Sequence, residues 1–182
     1  MALAATLYDF QIALSNVDRG VEAQLQLKVA RHPSETMERL WLRVLAYCWL
    51  YEERLAFGAG LSDPDAPDLE TRDYTQVVTR WVRVGKADPA KLQRAVDQNA
   101  NAQVCVLFEN PERMTAFLEE GRAAKLNRLS KARFAAADAE LLSALAVDET
   151  RRHKLTVTLV GDHFYLDRAG ETFDGPLTPG TW

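Results

Sequence analysis

The sequence predicts one mixed α/β domain, in which a central β-sheet is flanked by helices and an antiparallel hairpin lies at each end of the chain. Three observations predict this class. A strand pattern of period two opens the chain, a strand–helix–strand unit occupies its middle, and a second hairpin pattern closes it. The 182 residues are 47% hydrophobic and 26% charged, which is enough to bury a core without disulfides or a structural metal.

The N-terminal hairpin is the clearest strand prediction. A first strand, "TLYDFQIAL", is followed by the turn "SNVDRG" and a second strand, "VEAQLQLKVA". Gly20 favours the turn between them. In the second strand the residues alternate, so that one face contacts the core and the other faces water; the apolar set is Ala23, Leu25, Leu27 and Val29, and the polar set is Glu22, Gln24, Gln26 and Lys28.

A long central helix is predicted to begin at Pro33 and to continue until Gly58 and Gly60 end it. Glu35 and Glu38 would place negative charge at its amino end, where backbone N–H groups lack partners. Apolar residues recur at spacings of three and four and should form a wide buried stripe, consisting of Met37, Leu40, Trp41, Val44, Leu45, Cys48 and Tyr51.

Residues 60–73 are rich in Pro and Asp, show no regular period and are predicted to form a surface loop. The next segment is typical of a crossover unit: a strand "QVVTRWVRVG" ending at Gly85, a helix "DPAKLQRAVDQNA" capped by Asp88, and a buried strand "AQVCVLFEN". Such a unit makes a parallel pair. The loop that leaves its first strand would lie at the carboxyl edge of the sheet, where open sheets bind ligands.

The last third of the chain predicts two helices, "PERMTAFLEEG" and "ADAELLSALA", on either side of a weaker strand near "LNRLSKARF". A closing hairpin, "HKLTVTLVGDHFYLDRAG", has Gly161 and Asp162 at its turn. The tail, residues 172–182, is rich in Gly and Pro and is predicted to be irregular. All elements are assigned to a single domain of residues 1–182.

Composition disfavours several classes of protein. The net charge of −4 and the pI of about 5.4 argue against a broad basic surface, and the local basic stretch at residues 121–133 is typical of a solvated face. No apolar run is long enough to span a membrane, and the N-terminus lacks the pattern of a secretory signal. Cys48 and Cys105 lie in apolar segments, so we expect a cytoplasmic, reducing location.

Acidic side chains concentrate between residues 35 and 88, and carboxylates are the ligands that Mg²⁺ prefers. Ordinary structural roles would also explain them, because Glu35 and Glu38 suit a helix start and Asp63 and Asp65 suit turns. The histidines show no zinc-ligand spacing, and no serine-nucleophile, dinucleotide or Walker motif is present. The ten acids are Glu35, Glu38, Glu52, Glu53, Asp63, Asp65, Asp68, Glu70, Asp73 and Asp88.

The segment "ARHPSETMERLWLRVLA", residues 30–46, resembles the signature of the YaeQ family of bacterial proteins. The likeness continues through "ERLAFGAGLS", the Asp65-x-Pro67 pair, Trp81, Gly85 and Asp88, and it covers essentially the whole chain. The family is described as an offshoot of the PD-(D/E)XK nuclease-like fold. The resemblance therefore implies a mixed sheet with flanking helices, phosphodiester hydrolysis and nucleic acid as a partner.

In that superfamily, a helix glutamate and two acids on neighbouring strands or loops bind Mg²⁺, and a nearby lysine orients or activates the attacking water. Carried over by position, the resemblance implies a metal site of Glu35, Glu38, Asp65 and Asp88. It implies catalytic roles for Glu38, Asp65, Lys91 and Arg94. We also predict phosphate contacts from Arg39 and Arg83.

The sequence departs from the family pattern at one position. The strand before the glycine usually carries an acid, in "LWIEVG", whereas this chain has "RWVRVG" with Arg83 in that slot. A guanidinium there places positive charge where a divalent cation needs an anion, and it would either bind phosphate or pair with Glu38 or Asp65. Two functions stay open: a Mg²⁺-dependent nuclease-like phosphodiesterase, and a catalytically inactive binding or regulatory protein on the same fold.

Overall fold

The computed structural model describes residues 4–58, 63 and 65–182. In chain order the strands of these residues are β1 (Thr6–Asn16), β2 (Val21–Arg31), β3 (Ala56–Phe57), β4 (Leu69–Arg72), β5 (Val78–Val84), β6 (Gln103–Phe108), β7 (Arg133–Ala136), β8 (Arg152–Leu159), β9 (His163–Arg168), β10 (Glu171–Pro176) and β11 (Thr178–Gly180). The α-helices are α1 (Met37–Leu50), α2 (Pro89–Gln98), α3 (Pro111–Ala123) and α4 (Ala139–Ala146). None of these helices is long and apolar enough to cross a membrane.

Within the described ranges the strands form two sheets, ordered β10-β9-β8-β1-β2 and β11-β7-β6-β5-β4-β3. In the first sheet, β1 pairs antiparallel with β2 and parallel with β8. In the second sheet, β5, β6 and β7 run parallel. The predicted mixed α/β class is confirmed, but the strands divide between two sheets because β1 pairs with a strand from the far end of the chain, a pairing that local periodicity does not reveal.

Helix α1 lies between the two sheets and is buried on almost every side, as expected of a helix whose apolar residues surround its axis. Its side chains pack with the inner faces of both sheets in the main core, which includes Phe10, Trp41 and Val82. Helices α2 and α3 cover the outer face of the second sheet in a second core around Val106 and Phe117. The second sheet is therefore covered on both faces.

Several predicted elements are confirmed. Gly20 ends the turn of the first hairpin with φ of 63°. The β5–α2–β6 crossover is present, and the carboxylate of Asp88 caps α2 by accepting the backbone N–H of Lys91 at 2.8 Å. The closing hairpin turns at Gly161 and Asp162, with φ of 60° and 53°. Helices α3 and α4 form as predicted, and β7 lies at the end of the weaker strand segment.

The predicted bounds of α1 are wrong, since the helix comprises Met37–Leu50. Thr36 is its N-cap and accepts the backbone N–H of Arg39 at 3.2 Å, so the His-Pro-Ser-Glu segment precedes the helix. At the other end, the carbonyl of Trp49 accepts a hydrogen bond from Arg19 at 3.1 Å. A side chain from another element thus satisfies the helix end, and no glycine is needed there.

The predicted loop and the predicted irregular tail both contain strands. Of residues 60–73, β4 pairs antiparallel with β5, whereas Gly60 and its neighbours at 61, 62 and 64 lie outside the described residues. A strand of four residues is too short to show a clear period. In the tail, β10 pairs with β9 and β11 pairs with β7 in the other sheet. The prediction of an irregular tail is therefore wrong, because distant partners order it.

Candidate functional site

A cleft of about 1000 Å³ opens at the carboxyl end of β5. Its walls are the amino end of α1, the turn from β5 into α2, and the exposed side of α2. This is the edge at which the predicted crossover would place a ligand. The charged side chains that line it are Glu38, Arg39, Asp65, Arg83, Lys86, Asp88, Lys91, Arg94, Glu109 and Glu120.

Seven of the eight site residues predicted from the sequence line this one cleft, and Glu35 does not. Residues separated by as many as 56 positions in the chain, from Glu38 to Arg94, are thus brought together. Their assignment as catalytic, metal-binding or phosphate-binding residues stays a prediction. The seven are Glu38, Arg39, Asp65, Arg83, Asp88, Lys91 and Arg94.

Glu35 is buried beneath the cleft and is held by two arginines. Its Oε1 accepts hydrogen bonds from Arg39 Nη1 at 2.6 Å and from Arg43 Nη1 at 3.0 Å. Its Oε2 accepts from Arg43 Nη1 at 2.9 Å and from the backbone N–H of His32 at 3.2 Å. Both oxygens are therefore already engaged, as the burial of a carboxyl group requires.

Asp68 is the residue that sequence reasoning missed. Its side chain is completely buried, and its Oδ1 accepts a hydrogen bond from Arg39 Nη2 at 2.5 Å. Its Oδ2 accepts the backbone N–H of Val84 at 2.8 Å and lies 3.5 Å from Arg83 Nη1. Asp65 and Asp68 each follow a proline in the same stretch, "DPDAPD", so no sequence signal separates the exposed acid from the buried one.

Gly58 helps to position Asp68, which is a different role from ending a helix. Its backbone N–H donates to the Asp68 carbonyl at 2.8 Å. A Cβ at Gly58 would lie 2.2 Å from the carbonyl oxygen of Pro67, so a side chain cannot be accommodated at this close approach of two backbone segments. The Asp68 backbone N–H in turn donates to Val82 at 2.8 Å, which ties the acid to β5.

Arg83 pairs with Asp68, rather than with either of the acids considered from the sequence. Its Nη2 donates to the carbonyl of Ala66 at 2.8 Å, and its guanidinium lies over the Trp81 ring at 5.3 Å. Arg39 reaches the same Asp68 carboxylate from α1. Two guanidinium groups thus flank the Asp68 carboxylate, which is not among the metal ligands that the family resemblance implies.

The residues fit a Mg²⁺ ion poorly. Across residues 4–58, 63 and 65–182, no group of three or more His, Cys, Asp or Glu side chains is arranged to hold a metal. The two buried acids, Glu35 and Asp68, are both neutralised by arginine. Asp65, the predicted loop acid, is exposed on the rim of the cleft, where water competes for a cation.

Rim acids and bases are partly paired. The Asp65 side chain is 76% exposed, and its Oδ1 lies 3.0 Å from Lys91 Nζ. This hydrogen bond and the charge of Lys91 hold the pKa of Asp65 below its ordinary value. Lys86 and Arg94 also face the cleft and form no ion pair with a described residue.

Glu109 was also missed by sequence reasoning, although it directly follows the buried strand β6 at the carboxyl edge. Its Oε2 is buried without a hydrogen-bond partner among the described residues, and its Oε1 lies 3.5 Å from Arg113 Nε. Gly85, with φ of 77°, lies beside it: a Cβ there would be 3.9 Å from both Glu109 Oε2 and Arg39 Nε. An open acceptor and a guanidinium therefore lie together at the end of β5.

Fold and site together define a two-sheet α/β protein with a charged cleft at the carboxyl edge of its parallel strands. The chain belongs to the YaeQ family, because residues 1–175 match the family described as YaeQ protein. It is 37% identical over 100 residues to the uncharacterized protein YaeQ of Escherichia coli (strain K12), and 38% identical over 98 residues to that of Salmonella typhi. These matches cover 55% and 54% of this chain and of each relative, so the chain spans about half the length of these relatives.

Two crystal structures of YaeQ proteins share the fold. The protein from Xanthomonas axonopodis pv. citri is 27% identical with a TM-score of 0.87, and the match covers 97% of this chain and 98% of that one. The protein from Pseudomonas syringae is 29% identical with a TM-score of 0.85, over 98% of this chain and 97% of that one. Their similarity extends across both sheets and so includes the cleft region.

Proposed function

We propose that this protein binds a phosphate-bearing ligand in the cleft without a metal ion, on a nuclease-like scaffold. One observation supports this most strongly: the buried charge network under the cleft contains three guanidinium groups and two carboxylates. Its members are Glu35, Arg39, Arg43, Asp68 and Arg83. An excess positive charge is costly in a poorly hydrated environment, and an anion in the cleft would compensate it.

The rim adds two cations, Lys86 and Arg94, that form no ion pair with any residue the structure describes, although Arg94 lies near enough to Asp65 to lower its pKa. Asp65 does not oppose them fully, because Lys91 already neutralises it. Guanidinium and ammonium groups that converge from separate elements are suited to the several oxygens of a phosphate group. The cleft lining has five basic and five acidic side chains, so it is locally neutral although the whole chain is acidic, and the converging cations are the groups that an anion would contact.

The size of the cleft supports a ligand larger than a single phosphate. Its volume of about 1000 Å³ is at the upper end of the usual range for small-molecule sites. Leu42, Trp81 and Leu92 provide an apolar wall beside the charged groups. We therefore propose a nucleotide or a short single-stranded oligonucleotide as the ligand class.

Fluorescence anisotropy with labelled single-stranded DNA and RNA octamers, and competition by mononucleotides, tests this proposal. Binding should persist in EDTA and weaken with added salt, because phosphate contacts release counterions. Arg94→Ala and Lys86→Ala should each lower the affinity about fivefold. Lys28→Ala removes the same charge from the exposed face of β2 and should leave the affinity unchanged. No binding of any probe up to about 1 mM would overturn the proposal.

The second candidate is the Mg²⁺-dependent nuclease-like phosphodiesterase that the family resemblance implies. It is supported by the shared position of Glu38, Asp65 and Asp88 on one cleft with Lys91. A bound Mg²⁺ would be held by these rim acids and would supply Lewis-acid stabilisation of phosphoryl charge. Because the buried acids are occupied by arginines, this candidate requires the exposed carboxylates alone.

Calorimetric titration of Mg²⁺ or Mn²⁺ separates the two candidates. The phosphodiesterase candidate requires metal-dependent heat and cleavage of the labelled oligonucleotides, both lost in Asp65→Ala. Oligonucleotide binding that is equal in EDTA and in Mg²⁺, with no cleavage, supports the metal-independent function instead.

We also propose a cytoplasmic location, supported by the state of the two cysteines. Cys48 and Cys105 are buried free thiols. Burial raises the pKa of Cys48 to about 12 and that of Cys105 to about 11, so neither is poised to react. Unpaired structural cysteines are typical of reducing compartments.

A further inference from the structure

Three arginines converge near the amino ends of the parallel strands, at the end of the second sheet opposite the cleft. Arg80 lies early in β5, Arg133 begins β7, and Arg19 comes from the turn between β1 and β2. Arg80 precedes Gly85 of the cleft by five residues, which corresponds to about 17 Å along a strand. The group is therefore separate from the cleft, and we refer to Arg19, Arg80 and Arg133 as the arginine cluster.

Only one member of the arginine cluster has an acidic partner. Arg80 forms two hydrogen bonds with the Glu52 carboxylate, both at 2.8 Å. Arg19 Nη1 donates to the carbonyl of Trp49 at 3.1 Å, and the Arg133 guanidinium lies 4.7 Å from the centre of the Trp49 ring. Neither of these two exposed arginines contacts a carboxylate among the described residues. The cluster therefore carries two net positive charges.

Capping of the carboxyl end of α1 explains the position of Arg19. The Trp49 carbonyl belongs to the last turn of the helix, where the partial negative charge of the helix dipole favours one cation. Arg19 satisfies that role, but Arg133 is left without a balancing charge. Burial, and then the charge of Arg80, lower the pKa of the Arg19 guanidinium, whereas Glu52 raises it and Arg133 lowers it further, as expected when these charges lie near one another.

We propose that the arginine cluster is a second anion site and that it binds a phosphate group between Arg19 and Arg133. A guanidinium presents parallel N–H donors that match phosphate oxygens, and two such groups that both contact Trp49, one at its carbonyl and one at its ring, can be bridged by one dianion. Arg80 remains paired with Glu52, and its positive charge lies close to that of Arg19. The phosphate belongs either to a small phosphate ester or to a nucleic-acid backbone, and the two sources are separated by experiment.

Nitrogen-15 NMR of the arginine Nε–Hε groups of the full-length protein tests the site directly. Inorganic phosphate is titrated first, and an unlabelled single-stranded octamer is titrated into a second sample. The Arg19, Arg80 and Arg133 signals should shift with saturation, and the phosphate affinity fitted to the Arg80 signal should weaken about tenfold in Arg19→Gln/Arg133→Gln. Arg94→Ala, which alters only the cleft, should leave these shifts unchanged, so failure of the cleft proposal is distinguishable from failure of this one.

Each outcome has a defined meaning. Shifts with inorganic phosphate support a site for small phosphate compounds, and shifts with the octamer alone support a backbone phosphate. Signals that do not move with either ligand up to about 10 mM overturn the proposal. An affinity that is unchanged in the double variant also overturns it. Arg133→Gln alone replaces the double variant if circular dichroism shows that the latter is unfolded, because Arg133 donates no hydrogen bond to the helix end.

Discussion

The two sheets differ in how they use their faces and ends. The first sheet buries one face, with residues such as Phe10 and Leu25, and exposes polar residues such as Gln26 and Lys154 on the other. The second sheet is covered on both faces, so its accessible parts are its strand ends. The cleft lies at one end and the arginine cluster at the other. Parallel crossovers thus place the candidate binding sites on the second sheet, whereas the first sheet packs one face against the main core.

Buried polar groups are also treated differently in the two regions. Asp68, beneath the second sheet's cleft, accepts hydrogen bonds from Arg39 and from the backbone of Val84 and lies 3.5 Å from Arg83 Nη1. His153, on β8 of the first sheet, stacks on Phe10 at 4.9 Å and contacts Trp41 edge-on at 5.0 Å. Neither ring nitrogen of His153 has a hydrogen-bond partner in the described residues. One region stabilises buried charge by pairing it, and the other keeps its titratable group neutral.

The largest effect is expected from Asp68→Asn. This change leaves Arg39 and Arg83 without their shared carboxylate, and breaking a buried ion network by removing one partner costs about 3–5 kcal/mol. Urea unfolding followed by circular dichroism measures the loss. Asp65→Asn, on the exposed rim of the same cleft, is the matched control and should leave the unfolding midpoint unchanged. Equal losses for the two variants would show that the buried network does not provide the stability assigned to it.

A smaller effect is expected from replacing a glycine in each sheet. Gly85 and Gly161 have φ of 77° and 60°, so alanine at either position should cost about 1 kcal/mol of unfolding free energy. Only Gly85→Ala adds a methyl group beside Arg39 and Glu109, and it should also weaken octamer binding in the anisotropy assay. If both variants bind the octamer like the parent protein, the ligand does not reach the end of β5.

The smallest effect on the free energy of unfolding at neutral pH is expected from His153→Phe, because protonation of His153 affects stability only in acid. Burial lowers the pKa of His153, and nearby Asp148 and Arg168 act on it in opposite directions. The unfolded chain, with an ordinary histidine pKa of about 6.5, then binds a proton more readily than the folded chain. Stability should therefore fall as the pH decreases below about 6.5. His153→Phe should flatten this dependence in urea unfolding from pH 7 to 5, and an unaltered slope would assign the acid sensitivity to other groups.

The candidate site was only partly predictable from sequence. The Asp88 cap and the turn at Gly85 follow from residue type and position, and both are confirmed. The choice between Asp65 and Asp68 was not decidable from composition, since both acids occupy the stretch "DPDAPD". Their side chains are 76% and 0% exposed, a difference that depends on which arginines approach from elsewhere in the chain.

Residue type and short-range pattern were enough to predict the alternating strands, the capped helix α2 and the crossover unit, because these depend on backbone preferences and on periodicities that extend over a few residues. The family was predicted from the likeness of residues 30–46 to its signature, and the match over residues 1–175 confirms it. Only the tertiary structure decided the division into two sheets, the ordered tail and the identity of the buried acid. Each of those depends on pairing between residues far apart in sequence, such as β1 with β8 and Arg39 with Asp68, because burial makes a charge acceptable only where its partner is present.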